Sequence, residues 1–186
     1  MSRFPRPGVL SIQSEVAFGH VGNSAARFAL QRLGVDVMAL PTVLFSNQPA
    51  HGGKRGEAVS AAALDELVTG LEERGFLDEV DGVISGYLGD PAQVDIVGRA
   101  VAAVKARNPG AIYLLDPVFG DDGGAYAKPG IAEAMARRLL PLSDIVTPNR
   151  FELASLTSRK IETAADARDA ARLLGRPLVL ATSTPV

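Results

Sequence analysis

Residues 82–115 read GVISGYLGDPAQVDIVGRAVAAVKARNPGAIYLL, and this stretch decides the fold. Two short apolar runs within it, Gly82 to Ser85 and Ile112 to Leu115, are typical of buried strands. The segment between them, Pro91 to Asn108, has apolar residues at helical spacing. A strand, a helix and a second strand of these lengths predict a βαβ unit, whose two strands lie parallel in one sheet.

The same alternation continues on both sides of this stretch. Further strands are expected at Val9 to Gln13, Asp36 to Leu40, Ile145 to Thr147 and Leu178 to Ala181. Further helices are expected at Ser24 to Leu33, Ser60 to Arg74, Gly130 to Leu140, Arg150 to Leu156 and Ala164 to Leu174. The pattern predicts an α/β fold with a doubly wound, mostly parallel sheet, in one domain over residues 1–186.

Local signals mark several ends of these elements. The segments Asp90 to Gln93 and Asn149 to Glu152 each have a capping side chain with a Gln or Glu three residues later, which is typical of a helix start. Gly34 and Gly75 follow the first two helices, where a residue in the left-handed conformation is expected.

Two segments rich in glycine and polar residues, Phe45 to Gly56 and Gly120 to Pro129, interrupt the alternation. Loops of this length inside a compact domain are often functional. The first is compatible with a lid or a small strand pair, and a plain surface connection remains the alternative for both.

Composition excludes several classes of protein. The 186 residues carry 19 Lys and Arg against 21 Asp and Glu, and there is no cysteine. A net charge of −2 without a basic block argues against a nucleic-acid partner. The absence of cysteine excludes disulfides and zinc fingers. No apolar stretch is long enough for a signal peptide or a membrane span, so we expect a cytoplasmic protein without a membrane partner.

Polar residues follow five of the expected strands. They are Ser14, the run Ser85-Gly86-Tyr87, Asp116, the run Thr147-Pro148-Asn149 and the pair Thr182-Ser183. Each one has an ordinary explanation as a turn or a cap. Because the carboxyl ends of parallel strands meet at one edge of the sheet, where ligands bind, the five together predict a binding site.

Common catalytic signatures are missing from the sequence. There is no Gly-x-x-x-x-Gly-Lys phosphate loop, and Gly19 to Asn23 does not match the Gly-x-Gly-x-x-Gly of dinucleotide-binding proteins. His20 and His51 lie in different loops without a spaced third ligand, which argues against a zinc site. The absence of Gly-x-Ser-x-Gly argues against the commonest serine hydrolases.

The motifs that are present closely resemble those of pyridoxal kinases of the ribokinase-like superfamily. The resemblance runs from about Val9 to the last residue. It is carried by Ser11 to Ser14, Gly19 to Ala26, Thr42 to Asn47, Ser85 to Gly89, Asp116 to Asp121 and Thr147 to Leu153. The Ile-Gln-Ser, Phe-Ser-Asn and Ser-Gly-Tyr elements are narrower in occurrence than Asp-Pro-Val or Thr-Pro-Asn. The resemblance implies a three-layer α/β/α fold.

It also implies ATP-dependent phosphorylation of the 5′-hydroxyl of pyridoxal, and of pyridoxine and pyridoxamine, in vitamin B6 salvage. By the matched motifs, Ser14 would hydrogen-bond the pyridine ring. The pocket around the ring would be walled by Val21, Val43, Phe45 and Tyr87. Apolar and aromatic walls suit a flat heteroaromatic substrate. For Val43 and Phe45, ordinary core packing is the alternative.

The nucleotide side is assigned by the same resemblance. Asp116 and Glu152 would act near the triphosphate through Mg²⁺ and water. Asp121 and Tyr126 would belong to a loop over the nucleotide. Short polar contacts to phosphate oxygens would come from Thr147, Asn149, Thr182 and Ser183. The resemblance further implies a homodimer.

Two departures from the family pattern matter. Relatives usually follow Phe-Ser-Asn with His-Thr, whereas this chain has Gln48 and Pro49, so the resemblance does not carry over a substrate contact from that threonine. The family's catalytic aspartate, on a Gly-x-Gly-Asp turn, is expected beyond Val186. We therefore assign no catalytic residue and expect an N-terminal portion of a kinase domain, inactive by itself. A hydroxymethylpyrimidine kinase and a non-catalytic remnant that binds pyridoxal or nucleotide remain alternatives.

Overall fold

A computed structural model describes residues 7–48 and 51–185 of the chain. The strands are β1 (Gly8–Phe18), β2 (Asp36–Asn47), β3 (Gly56–Ala58), β4 (Gly82–Ser85), β5 (Ile112–Leu115), β6 (Gly120–Asp121), β7 (Gly124–Ala125), β8 (Ile145–Val146) and β9 (Leu178–Val179). The α-helices are α1 (Asn23–Arg32), α2 (Ala61–Glu73), α3 (Gln93–Arg107), α4 (Ile131–Ala134), α5 (Arg150–Thr157) and α6 (Ala164–Leu173). A short 3₁₀ turn covers Phe76–Glu79.

Seven of these strands form one sheet in the order β3-β2-β1-β4-β5-β8-β9. All neighbours in it are parallel except β3, which runs antiparallel to β2. The strand order reverses between β1 and β4, since β2 lies on one side of β1 and all later parallel strands lie on the other. The predicted doubly wound, mostly parallel sheet is confirmed, and its switch point lies at the ends of β1 and β4.

Helices cover both faces of the sheet. On β1, Leu10 and Ile12 point to one face, where they join the main apolar core with Leu64 of α2 and several α3 side chains. Ser11 points to the other face, where it contacts Asn23 of α1. Each large apolar side chain buried in this core contributes about 1.5–3 kcal/mol. The arrangement is the expected α/β/α layering.

The first two strands are longer than predicted. β1 continues to Phe18 and β2 to Asn47 because the two strands stay paired to these residues, and β3 also pairs with β2 at Val43 to Phe45. Ser14 therefore lies inside β1, where the register against β2 shifts, and not at the end of the strand. The polar segment that includes Phe45 forms part of a strand pair, one of the two structures that its composition allowed.

The predicted start of α3 is wrong in detail. The helix begins at Gln93 rather than Pro91, and Asp90 instead accepts a hydrogen bond of 3.1 Å from the amide of Ala92. The Gln93 side chain accepts from the Gly89 amide at 2.9 Å and donates to the carbonyls of Thr42 and Val59 at 2.8 and 2.7 Å. A side chain expected to cap its own helix therefore ties the helix to β2 and to the residue after β3.

The predicted helix from Gly130 to Leu140 is also only partly correct. After α4 the chain widens into a π-helical turn over Met135–Leu139 and then a 3₁₀ turn over Leu140–Leu142. Pro141 lacks the amide that an α-helix needs at that position, which explains why regular helix does not continue. Other local signals are confirmed: Asn149 and Glu152 form a reciprocal cap, and Gly34 and Gly75 have φ of 81° and 69°.

Candidate functional site

A pocket of about 470 Å³ opens at the switch point between β1 and β4. Four of the residues singled out in the sequence line it: Ser14, Val21, Tyr87 and Asp116. Ser14 lies inside β1, Tyr87 and Asp116 follow the ends of β4 and β5, and Val21 lies in the turn before α1, so the sheet topology brings together residues far apart in sequence. The expectation that polar residues following the strands converge on one edge is confirmed for Tyr87 and Asp116, whereas Ser14 reaches the same pocket from within β1.

Other residues that line the same pocket were not predicted from the sequence. Gln13, His20, Gly22, Val118 and the α1 residues Ala25, Ala26 and Ala29 also line the pocket. The three alanines lie at spacings of one, three and four residues, so they form one small-residue face of α1. That face was visible in the sequence as a helical pattern of alanines, but nothing local showed that it points towards a cavity.

Gly22 lets α1 approach β1 closely. Its φ is 52°, in the left-handed region, and a Cβ placed there would collide with the side-chain and main-chain oxygens of Ser14. Only glycine fits such an approach without displacing the strand. The contact fixes the position of Ser14 against the start of α1.

Val43 and Phe45 do not line the pocket. Val43 is fully buried beside Gly89, which agrees with the alternative of ordinary core packing. Phe45 is half-buried, and the ammonium of Lys54 lies 4.0 Å from its ring centroid and 5.8 Å from that of Tyr87. Burial lowers the pKa of Lys54 from its ordinary value. Pro49, where the chain departs from its relatives, lies outside the described residues.

A second cavity, of about 350 Å³, lies further along the same edge. Asp121, Asn149 and Ser183, which the resemblance assigns to the nucleotide, line it. Asp122, Gly123 and Arg150 complete the lining and were not foreseen. Arg150 forms an ion pair of 2.8 Å with Asp122, which joins α5 to the β6–β7 hairpin.

Asp116 and Glu152 are two carboxylates in a partly desolvated region. Burial raises the pKa of Asp116, and a hydrogen bond from Thr147 opposes that rise. Burial also raises the pKa of Glu152 to about 7, with a further contribution from the charge of Asp116. Glu152 accepts from the amides of Phe119 at 3.2 Å and Asn149 at 2.9 Å, which opposes the rise.

Of the remaining predicted residues, Tyr126 and Asn149 interact with these two acids. The ring of Tyr126 lies 6.4 Å from that of Tyr87, and burial together with nearby acidic groups raises its pKa to about 12. Asn149 pairs with Thr182 through a parallel bridge and donates to the carbonyl of Gly120 at 2.8 Å. Ser183 has a φ of 51°. The structure therefore groups the residues assigned to the nucleotide, while their contacts with phosphate stay a prediction.

The donor set fits a magnesium ion held through water. Within the described ranges, no group of three or more His, Cys, Asp and Glu side chains converges as a metal cluster. Both Glu152 oxygens already accept from backbone amides, so they favour water-mediated over direct contact. Mg²⁺ keeps several waters and takes one or two carboxylates, which matches Asp116 with Glu152. A nearby cation would also lower the charge repulsion between the two acids.

The chain is similar to one protein family and to several characterised relatives. The model of the phosphomethylpyrimidine kinase family matches residues 31–182. A pyridoxal kinase PdxY from Leifsonia xyli subsp. xyli is 45% identical over 179 residues, covering 94% of this chain and 63% of the relative. A pyridoxal kinase PdxY from Deinococcus radiodurans is 46% identical over 183 residues, covering 94% and 61%.

Solved structures show the same similarity. The pyridoxal kinase from Leishmania donovani in complex with ADP and pyridoxamine superposes with a TM-score of 0.88 at 35% identity, covering 92% of this chain and 62% of that one. The pyridoxal kinase from Entamoeba histolytica gives 0.91 at 26% identity, covering 97% and 65%. This chain thus spans about three fifths of the length of these relatives. Among the described residues, no helix is long and apolar enough to cross a membrane.

Proposed function

We propose that the protein is an ATP-dependent pyridoxal kinase. The chain belongs to the phosphomethylpyrimidine kinase family, and the proposal starts from that membership. One observation carries the proposal. The lining of the switch-point pocket combines the aromatic ring of Tyr87 and the alanine face of α1 with the polar groups of Ser14 and Asp116. A flat ring with polar substituents fits such a lining. The relatives named as pyridoxal kinases support this substrate over a pyrimidine.

The reaction proposed is transfer of the γ-phosphoryl group of ATP to the 5′-hydroxyl of pyridoxal, giving pyridoxal 5′-phosphate and ADP. The new bond joins the hydroxyl oxygen to phosphorus, the bond to the β-phosphate breaks, and the hydroxyl proton passes to a base. Pyridoxine and pyridoxamine carry the same hydroxyl and are proposed as further substrates. A structural relative bound to ADP and pyridoxamine supports this breadth.

On the nucleotide side, the second cavity supplies the groups that a phosphate chain requires. Arg150 lines the cavity and brings a positive charge, and its ion pair with Asp122 restrains the guanidinium. Thr147, Asn149, Thr182 and Ser183 are proposed to contact phosphate oxygens from the ends of β8 and β9. Asp121 and Tyr126, on and beside the β6–β7 hairpin, are proposed to cover the nucleotide.

Asp116 and Glu152 are proposed to hold Mg²⁺ through water molecules. When bound, the ion would neutralise charge on the phosphates of ATP. The chain's own contribution is to keep the two carboxylates in place: Thr147 donates to Asp116, and the backbone amides of Phe119 and Asn149 orient Glu152. A carboxylate that is already oriented needs no reorganisation when charge develops near it.

The oligomeric state and the cellular location belong to the same proposal. We propose a homodimer, because Phe18 of β1, Phe28 of α1 and Leu33, which follows α1, are 69%, 68% and 80% exposed and would be covered by a second copy. Light scattering of the natural full-length protein tests it. We also propose a cytoplasmic location, where ATP is available as the co-substrate.

The deciding experiment is a steady-state assay of the natural full-length protein with Mg-ATP. Pyridoxal and hydroxymethylpyrimidine are compared as acceptors, and the 186-residue chain is assayed in parallel. We expect kcat/KM for pyridoxal to exceed that for the pyrimidine. The reverse preference would establish the pyrimidine kinase alternative, and pyridoxal binding without turnover would establish a non-catalytic binding protein. Turnover by the 186 residues alone would overturn the expectation that the catalytic aspartate lies beyond Val186.

A further inference from the structure

Three buried polar side chains lie directly behind the switch-point pocket. Ser11 and Gln13 are two residues apart on β1 and point to the same face, and Asn23 is the first residue of α1. Their exposed fractions are 0%, 7% and 1%. Only Gln13 lines the pocket, so Ser11 and Asn23 form a layer behind it.

Hydrogen-bond chemistry sets the direction of every bond in this group. The Asn23 side-chain nitrogen lies 3.2 Å from the carbonyl of Gln13 and 3.0 Å from that of Leu40. Carbonyl oxygens only accept, so this atom must be the NH₂ group, and the Oδ1 of Asn23 is left as an acceptor. Oδ1 lies 2.7 Å from the hydroxyl of Ser11, so Ser11 must donate its single proton there.

Because Ser11 donates its only proton to Asn23, its oxygen can only accept a hydrogen bond from Gln13. The Gln13 amide lies 2.9 Å from it and must present its NH₂ group, Nε2. The other end of the amide, Oε1, is consequently turned away from Ser11 as a hydrogen-bond acceptor. Two backbone carbonyls, acting through Asn23 and Ser11, thus fix which end of Gln13 remains free.

No residue in the described ranges donates to the Oε1 of Gln13. The backbone of Gly86 passes so close that a Cβ added there would lie 2.7 Å from Oε1, which confines the amide on that side. No fully enclosed side-chain oxygen or nitrogen among the described residues lacks a partner, so Oε1 keeps access to the pocket. A partly buried acceptor in that position requires a donor from whatever occupies the pocket.

We propose that Gln13 determines substrate specificity by accepting a hydrogen bond from a hydroxyl substituent of the ring, with Ser11 and Asn23 as positioning residues. This inference rests on the proposed function. Ser14, expected to bond the ring itself, lies next to Gln13 on β1, so the ring substituents are the groups left for Gln13. A ligand without the hydroxyl would leave Oε1 unpaired and bind more weakly.

The test is calorimetric binding to the natural full-length protein. Pyridoxine is compared with its 3-deoxy analogue, which lacks the hydroxyl on the ring, and its 4-deoxy analogue, which lacks the hydroxyl of the 4-hydroxymethyl group. We expect the wild type to prefer pyridoxine over one analogue by about 2- to 12-fold, the range of one net hydrogen bond. Gln13→Met should abolish that preference. Ser11→Ala, which frees the amide to rotate without touching the pocket, should reduce it, and Ser11→Thr should restore it.

Gln93→Met is the matched control, because it removes another buried amide that does not line the pocket. It should leave the preference intact. The inference is overturned if Gln13→Met or Ser11→Ala weakens all three ligands equally, since a merely structural role predicts that result. It is also overturned if the wild type binds all three alike. If the wild type binds neither pyridoxal nor pyridoxine, the proposed function is overturned and the inference with it; if it binds pyridoxal but not pyridoxine, only the inference is overturned.

Discussion

The hydroxyl of Thr147 donates a hydrogen bond of 2.9 Å to Oδ1 of Asp116, and so joins the end of β8 to the end of β5. These residues are 31 apart in sequence but follow directly after neighbouring parallel strands. The bond favours the ionised carboxylate and therefore opposes the rise in the pKa of Asp116 that burial causes. Thr147 is thus placed to keep Asp116 charged beside the pocket.

The role of Asp116 can be tested by substitution in the natural full-length protein. Asp116→Ala should lower kcat by about a hundredfold or more, because an oriented charge near the transferring phosphoryl group is lost. Folding should be affected less, which thermal unfolding can check. Near-normal kcat at saturating Mg-ATP would contradict the assigned role.

Thr147→Val should change the pH dependence of the same reaction. Without the donated hydrogen bond, the pKa of Asp116 should rise further above its ordinary value. The acidic limb of the kcat profile should therefore move to higher pH, because Asp116 is protonated over a wider range. An unshifted acidic limb would show that Asp116 ionisation does not control turnover. Val keeps the shape of Thr, so the substitution isolates the hydroxyl.

Glu152 should make stability depend on pH in a definite direction. Its pKa is about 7 in the folded protein against an ordinary 4.5, so the folded state binds more protons between these values. The free energy of unfolding should therefore fall as pH rises from 4.5 to 7, by on the order of 3 kcal/mol, and change no further above that range. Urea unfolding of wild type and Glu152→Gln across this pH range measures it. A constant difference between the two proteins would refute the shift.

Tyr87 should contribute to the binding of pyridoxal but not to the binding of Mg-ATP. Tyr87→Ala should weaken pyridoxal binding by about 0.5 to 1.5 kcal/mol beyond the loss of buried area, because an aromatic wall of the pocket is removed. Mg-ATP affinity should stay close to that of the wild type. Calorimetric titration with each ligand separately gives the comparison. Equal losses for both ligands would indicate general destabilisation in place of a pocket contact.

Gly22→Ala should disturb both the pocket and the fold around it. The left-handed φ of 52° disfavours alanine, and its methyl group would collide with Ser14. We expect a loss of at least about 1 kcal/mol in the free energy of unfolding, together with weaker pyridoxal binding. Gly34→Ala is the control, since it shares a left-handed φ of 81° but has open space around its Cβ. If the two variants bind pyridoxal equally well, the close approach to Ser14 is unimportant.

Features that depend on neighbours in the chain were predictable from the sequence. The reciprocal cap of Asn149 and Glu152 spans three residues, and the left-handed Gly34 ends the helix that precedes it. The alternation of strands and helices indicated the parallel sheet, and the sheet in turn indicated that Ser14, Tyr87 and Asp116 would meet. These predictions hold because hydrophobic periodicity and capping chemistry act over a few residues.

Only the tertiary structure decided which partners the remaining polar side chains find. Gln93 has the spacing of a helix cap, yet its amide bonds the backbone of β2 and of the residue after β3, because buried carbonyls there need a donor. Val43 matches a pocket motif, yet it is enclosed in the core. The Oε1 of Gln13 faces the pocket because the Nε2 of the same amide donates to Ser11. Ser11 must accept that bond, since its own proton is donated to Asn23. Local sequence sets the elements, but the direction of a buried hydrogen bond depends on atoms supplied from distant parts of the chain.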